Sequence, residues 1–196
     1  MPSASVTRLL GIMMPAVCMV TAASAPGLPL RDTTGTLHQP TEWNGGHVAV
    51  LFFVTTDCPV TNSYVPEMNS LHNRFAPRGV LFYAVQADVT VSDGDVARYA
   101  WDYQYSFPVL FDPRQELVEL TGATITPQAA VFAPGGRVAY LGRIDDRVTD
   151  FGRQRYQATT HDLADALEAL LAGKRVAHPT THSIGCSINR VHAATQ

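Results

Sequence analysis

The stretch from Val48 to Phe75, VAVLFFVTTDCPVTNSYVPEMNSLHNRF, constrains this chain more than any other. It opens with an unbroken apolar run, Val48 to Val54, too short for a core helix and rich in Val and Phe. Such a run suits a strand buried on both faces of a mostly parallel sheet. Thr55-Thr56-Asp57 breaks it, and Cys58-Pro59 follows. Val65, Met68, Leu71 and Phe75 then recur on one helical stripe, with Asn69, Asn73 and Arg74 off it. A cysteine is therefore expected where a buried strand passes into the first turn of a helix. The free N–H groups and positive dipole end at such a site favour a thiolate over a thiol. Asp57, beside the cysteine, is expected to cap the helix.

The rest of the chain alternates in kind. Pro77-Arg78-Gly79 ends the first helix, and Val80 to Val85 reads as a second buried strand. A helix is expected from Ser92 to Tyr105, with Val96, Tyr99, Ala100 and Tyr103 on one side. A short strand over Phe107–Phe111 follows, then a helix opened by Pro113 and stopped at Gly122. Thr126-Pro127 lies just ahead of Ala129–Phe132, a position where cis peptide bonds are retained. Ala129–Phe132 and Arg137–Leu141 flank Ala133-Pro134-Gly135-Gly136, a hairpin signal. Residues 142–157 read as an irregular loop, Thr160–Ala172 as a last helix, and the tail from Lys174 shows no periodicity. Residues 26–47 fit a lead-in with a short edge hairpin and a turn near Asn44-Gly45-Gly46. The sum is an α/β sandwich: a central mixed sheet, helices on both faces, and a terminal hairpin plus helix. No Gly-rich fingerprint follows the first strand, which excludes a dinucleotide-binding variant of the same alternation.

At 196 residues, the chain is expected to comprise a signal peptide (1–25), one domain (26–175) and a tail (176–196) that carries Cys186. A net charge of −3 with no long basic run argues against nucleic acid as a partner. In residues 1–25, Arg8 precedes an apolar stretch, Leu9–Val20, and then small residues, the pattern of an export signal. That stretch is shorter than the ~20 residues a membrane span needs, so no stable membrane insertion is expected after processing. Export to the periplasm or beyond would remove Cys18 and leave two cysteines, Cys58 and Cys186, where disulfides persist.

Two landmarks now carry a resemblance. Pro66 lies eight residues after Cys58, and Thr126-Pro127 precedes the hairpin. In element order and spacing the chain resembles the thioredoxin-like superfamily, in its redoxin (AhpC/TSA-like) branch, over roughly residues 30–175. Gly185-Cys186-Ser187-Ile188 matches the short ending of its peroxiredoxin-like, single-active-cysteine members, although Asn189-Arg190 departs from their usual continuation. Thr61 replaces the second cysteine of CxxC, so no local disulfide forms. Thr55 fits a peroxiredoxin pattern, but Leu51 stands where that pattern has proline.

The resemblance implies a thiol–disulfide oxidoreductase with Cys58 as nucleophile, Cys186 as resolving cysteine, and Thr126 and Pro127 shaping the thiol-substrate groove. Its partners would be protein or small-molecule thiols and disulfides, with peroxides as an alternative. No cofactor or metal is implied. In that fold the last helix runs away from the active site by roughly 18 Å, and the residues from Gly173 to Cys186 can span about 43 Å. A loose tail could thus return Cys186 to Cys58, provided that Cys58 is not sealed inside the molecule. A static disulfide tying down the tail, worth about 3–5 kcal/mol, is the structural alternative. Two other readings stay open. A thiol peroxidase would oxidise Cys58 to a sulfenic acid that Cys186 resolves. A Sco-like copper-binding module would use the cysteines with His178, His182 or His192, although Asn62 stands at the second position of its CxxxC. Gly142-Arg143-Ile144-Asp145-Asp146 is expected to order the following loop through an Arg–Asp pair, with acid–base help to the thiol as the other option. Trp43, Trp101 and the tyrosines are expected to pack at the core or its edge.

Overall fold

The computed structural model describes residues 29–39 and 46–191. The expected signal peptide, the Asn44-Gly45 turn, Trp43 and His192 lie outside them. The chain forms β1 (Leu30–Arg31), β2 (Leu37–His38), β3 (Val48–Val54), α1 (Pro59–Phe75), β4 (Val80–Gln86), α2 (Asp93–Asp102), β5 (Val109–Phe111) and α3 (Glu116–Thr121). Then follow β6 (Ile125–Thr126), β7 (Gln128–Phe132), β8 (Val138–Gly142), β9 (Val148–Asp150), β10 (Arg153–Gln154), α4 (Asp162–Leu171) and β11 (Cys186–Ser187). Five strands make the central sheet in the order β5-β4-β3-β7-β8. The pairings of β3 with β4 and β4 with β5 are parallel, while β7 runs antiparallel to both β3 and β8.

All seven residues of β3 are buried because both faces of the sheet are covered. Val48, Val50, Phe52 and Val54 point to one core, with Tyr64, Met68, Leu71 and Phe75 of α1 and Leu163, Ala166 and Leu167 of α4. Ala49, Leu51 and Phe53 point to the other, with Leu117 and Val118 of α3. This is the period-two alternation of a strand applied to a sandwich. Each fully buried large side chain contributes about 1.5–3 kcal/mol by leaving water. Helix α1 starts with Pro59 in its first turn and gives way to a short 3-10 turn, Ala76–Arg78. Gly79 then turns the chain with a left-handed φ of 87° that favours glycine.

Several boundaries differ from the sequence reading. Helix α3 begins at Glu116 rather than Pro113, because the buried carboxylate of Asp112 accepts the N–H groups of Glu116, Leu117 and Val118. Helix α2 stops at Asp102, and Gln104 takes a left-handed φ of 56°. Trp101 is 83% exposed, not packed. It lies off the stripe of α2 that buries Val96 and Tyr99. The loop after β8 is not wholly irregular, since β9 and β10 pair within it.

The tail departs furthest from expectation. It is docked along the domain instead of hanging loose. Leu141 N–H donates to Pro179 C=O (2.9 Å) and Thr181 N–H to Leu141 C=O (3.2 Å). Further on, β11 pairs antiparallel with β6, and the Ile188 side chain is buried in the second core. Gln115 donates to Asn189 C=O (2.8 Å) and accepts from Val191 N–H (2.8 Å), while Arg190 meets Glu119 at 2.9 Å.

Candidate functional site

Strand β3 hands the chain through Thr55-Thr56-Asp57 to α1, and Cys58 itself is the N-cap, with extended φ −84° and ψ 109°. The expected cap from Asp57 is not formed. Asp57 lies one residue too early, exposed outside the helix, and no side chain caps this end. Cys58 is 0% exposed. The expectation of a sulfur open at the mouth of the sheet is therefore corrected: in this conformation the protein's own tail lies over it.

Strand β11 sets Cys186 directly opposite Thr126 of β6. The Thr126–Pro127 peptide bond is cis, and both residues are buried. The Cys58 S–H donates to Thr126 C=O (3.1 Å), and the Thr126 hydroxyl donates to Cys186 C=O (3.3 Å). The Thr55 and Thr126 hydroxyls lie 3.2 Å apart. The structure thus brings together Cys58, Cys186 and the Thr126-Pro127 turn, with both cysteines as free thiols.

The two sulfurs are electrostatically unequal. Burial pushes the Cys58 thiol up, but the hydrogen bonds that its thiolate would accept from Cys186 and from the Thr61 hydroxyl and N–H outweigh it, and the net shift is downward. Cys186 is pushed up to about 12 by burial, by its hydrogen bond to Cys58 and by the negative charges of Cys58 and Asp57. Cys58 therefore gives up its proton first, and Cys186 holds its own as an S–H donor. Such a pair can exchange with disulfides: one sulfur attacks and the other stays protonated beside it until needed.

Thr61 escaped the sequence reading, which saw it only as a missing cysteine. Its hydroxyl is fully buried and has no hydrogen-bond partner while Cys58 is a thiol. At the third position of a helix capped by Cys58, both its donors face the sulfur and suit an anion there. The signal was present in the spacing, since residues three apart share a helical face.

The residues after β8 build a wall beside the site. Tyr64 O–H donates to the Asp145 carboxylate (2.6 Å), which also accepts Arg147 N–H (2.8 Å). Asp146 accepts Thr159 N–H (2.6 Å), the Thr159 hydroxyl and Thr160 N–H (3.0 Å), and pairs with Arg155 at 3.1 Å. Those bonds hold its carboxyl well below the usual carboxylate range. Arg143 pairs instead with Asp162 of α4 at 2.8 Å. The Arg–Asp ordering of the loop is present, with partners drawn from outside the run. His182 and Ile184 share a small cavity with Tyr64 and Pro127, and His178 is exposed. Among the described residues no three His, Cys, Asp or Glu side chains gather as a metal site.

Comparison with known proteins agrees with this geometry. A thiol-disulfide oxidoreductase ResA of Bacillus thuringiensis is 27% identical over 114 residues, 58% of this chain and 64% of ResA. The match therefore spans a little under two thirds of that relative's length. The structure of a hypothetical protein from Sinorhizobium meliloti superposes with a TM-score of 0.73 at 26% identity, covering 87% of this chain and 94% of that one. A secreted Mycobacterium tuberculosis disulfide oxidoreductase homologous to E. coli DsbE shares the fold, with a TM-score of 0.52 at 17% identity over 75% of this chain and 96% of that one. The AhpC/TSA family matches residues 21–141, more than half of the sequence. With its mixed sheet, its helix-capping cysteine and its cis-proline turn, the chain belongs to the AhpC/TSA family, the redoxin branch of the thioredoxin-like superfamily.

Proposed function

We propose that this protein is an exported thiol–disulfide oxidoreductase in which Cys58 is the nucleophile and Cys186 the resolving cysteine. The observation that carries the reading is the placement of Cys58 at the start of α1, with β11 setting Cys186 opposite Thr126 of the cis-proline turn that accepts the Cys58 S–H; the downward shift of Cys58 and the upward shift of Cys186 agree with it. The Cys58 thiolate attacks one sulfur of a substrate disulfide. The other substrate sulfur leaves with the electron pair, and a mixed disulfide forms on Cys58. Cys186 then loses its proton and attacks the Cys58 sulfur, releasing the second substrate thiolate. Two electrons have reached the substrate, and the protein carries Cys58–Cys186. Run backwards, the same steps oxidise a dithiol. Thr126 and Pro127 shape the substrate groove, offering backbone to an extended peptide.

Cys58 is reached from solvent only when the tail lifts, so the tail's docking belongs to the cycle. Export is supported by the signal-like residues 1–25 and by the secreted structural neighbour. Among the described residues no helix is long and apolar enough to cross a membrane. The division into leader, domain and C-terminal tail is part of the same proposal.

Mass mapping of thiols in the protein recovered from the exported fraction, before and after mild reduction, tests the reading. A Cys58–Cys186 disulfide that opens under mild reduction, and reacts faster with disulfides than with peroxide once reduced, is expected. Two thiols that never join would overturn it. Faster reaction with peroxide would make the protein a thiol peroxidase instead.

A further inference from the structure

The tail does more than bring a sulfur to Cys58. It lies in the place where an extended substrate would lie, and it does so with side-chain requirements that can be read off. Cys186 is in register with Thr126, beside the cis-proline turn, and Ser187 is in register with Ile125. Ile188 N–H donates to Thr124 C=O (2.9 Å), and its side chain is buried against the second core. Gly185 passes so close to β6 that a Cβ there would lie 2.0 Å from the Thr126 carbonyl oxygen and 2.8 Å from its carbon. The second close approach is upstream, where a Cβ on Gly142 would lie 2.1 Å from the Thr181 hydroxyl. Both glycines make room for the same docked segment, and they do so against backbone or a fixed side chain.

We infer that the β6 edge recognises an extended polypeptide of pattern Gly-Cys-x-Ile, and that residues 185–188 are its resident occupant. This rests on the proposed role of Cys58 and adds to it the class of substrate. A protein partner presents a cysteine with glycine immediately before it and an aliphatic side chain two residues after it, and it competes with the tail for one strand position. The glycine is needed because the Thr126 carbonyl leaves no space for a side chain. The aliphatic residue is needed because the Ile188 site is an apolar hole in the core, which a charge would have to enter without water. Specificity then comes from a main-chain ladder plus alternate side-chain pockets, as in other strand additions.

The test uses the full chain with Cys186→Ser and Gly185→Ala, which removes the resolving sulfur and weakens the tail's hold on the groove. The probe is the peptide Ser-Ile-Gly-Cys-Ser-Ile-Asn joined through its cysteine to 5-thio-2-nitrobenzoate. The Cys58 thiolate attacks the peptide sulfur, a peptide–Cys58 disulfide forms, and the coloured thiolate leaves with the electron pair. Release from a chain that also carries Cys58→Ser is subtracted. The native peptide should react at least fivefold faster than peptides with alanine for the glycine or aspartate for the second isoleucine. A difference of less than fivefold, with release still dependent on Cys58, overturns the recognition pattern and leaves the oxidoreductase reading standing. No Cys58-dependent release from these peptides or from a small aromatic disulfide would remove that reading itself. If the double variant fails to unfold cooperatively, the same ranking is measured on the single Cys186→Ser chain at higher peptide concentration.

Discussion

Gly185→Ala is the sharpest probe of how Cys58 is reached. A Cβ 2.0 Å from the Thr126 carbonyl oxygen cannot stay there, and the opposing atom belongs to a strand backbone. Strand β11 has to lift away. Lifting it breaks the bonds from Ile188 N–H to Thr124 C=O and from the Thr126 hydroxyl to Cys186 C=O. Each is worth about 1 kcal/mol net. Withdrawing Ile188 from the core costs about 1.5–3 kcal/mol more. The anchors at Thr181 and Gln115 remain, so the lower end, about 3.5 kcal/mol, is the working figure. At 1.4 kcal/mol per factor of ten, that raises the open population about 300-fold. The assay is alkylation of Cys58 by iodoacetamide, followed by mass spectrometry in a Cys186→Ser chain so that no disulfide can form. A rate rise of about 300-fold over Cys186→Ser alone is expected. An unchanged rate would mean that Cys58 is reached by some route other than release of the tail.

Thr61→Val removes the hydroxyl that faces the sulfur at nearly constant volume. A hydrogen bond to a charged group is worth about 1.5–3 kcal/mol, so thiolate-dependent reaction of Cys58 at neutral pH should fall roughly tenfold, and Thr61→Ser should restore it. Titration of the reduced protein by thiolate absorbance should show Cys58 ionising below its ordinary value while Cys186 stays protonated until about pH 12. Removing the Cys186 S–H donor by Cys186→Ala should move the Cys58 titration upward, since that bond favours the thiolate, and Cys58→Ser should abolish the lower transition. The raised Cys186 value has a stability consequence whose sign is fixed: the folded state holds a proton that the unfolded state loses near its reference of 9.0. Its contribution is complete below pH 9 and is lost as pH rises toward 12. Chemical denaturation of the reduced protein across that interval should show the loss diminish in Cys186→Ala. Asp112→Ala, which strips three helix N–H groups of their acceptor, should cost about 2 kcal/mol and lower the melting temperature by about 4–8 °C.

The local pattern fixed a great deal in this protein. The doubly buried β3 was legible from seven apolar residues because a strand covered on both faces has no polar positions to show. The placement of Cys58 at a helix start was legible because Pro59 and the stripe Val65, Met68, Leu71 and Phe75 announce the first turn and the buried face. The cis bond before Pro127 and the hairpin after it were marked by proline and glycine, whose backbone restrictions are local.

What the tertiary structure decided concerns residues far apart in the chain. Nothing near Gly185 in sequence shows that its missing side chain answers a carbonyl 59 positions earlier. The cap on α3 came from Asp112 four to six residues ahead, and Arg143 chose Asp162 over the acids beside it. The tail had no period to read because its order comes from contacts made one at a time with β6, β8 and α3. Those contacts also bury Cys58, so the sequence determined which sulfur sits at the helix start, and only the packing of distant segments determined that another part of the chain covers it.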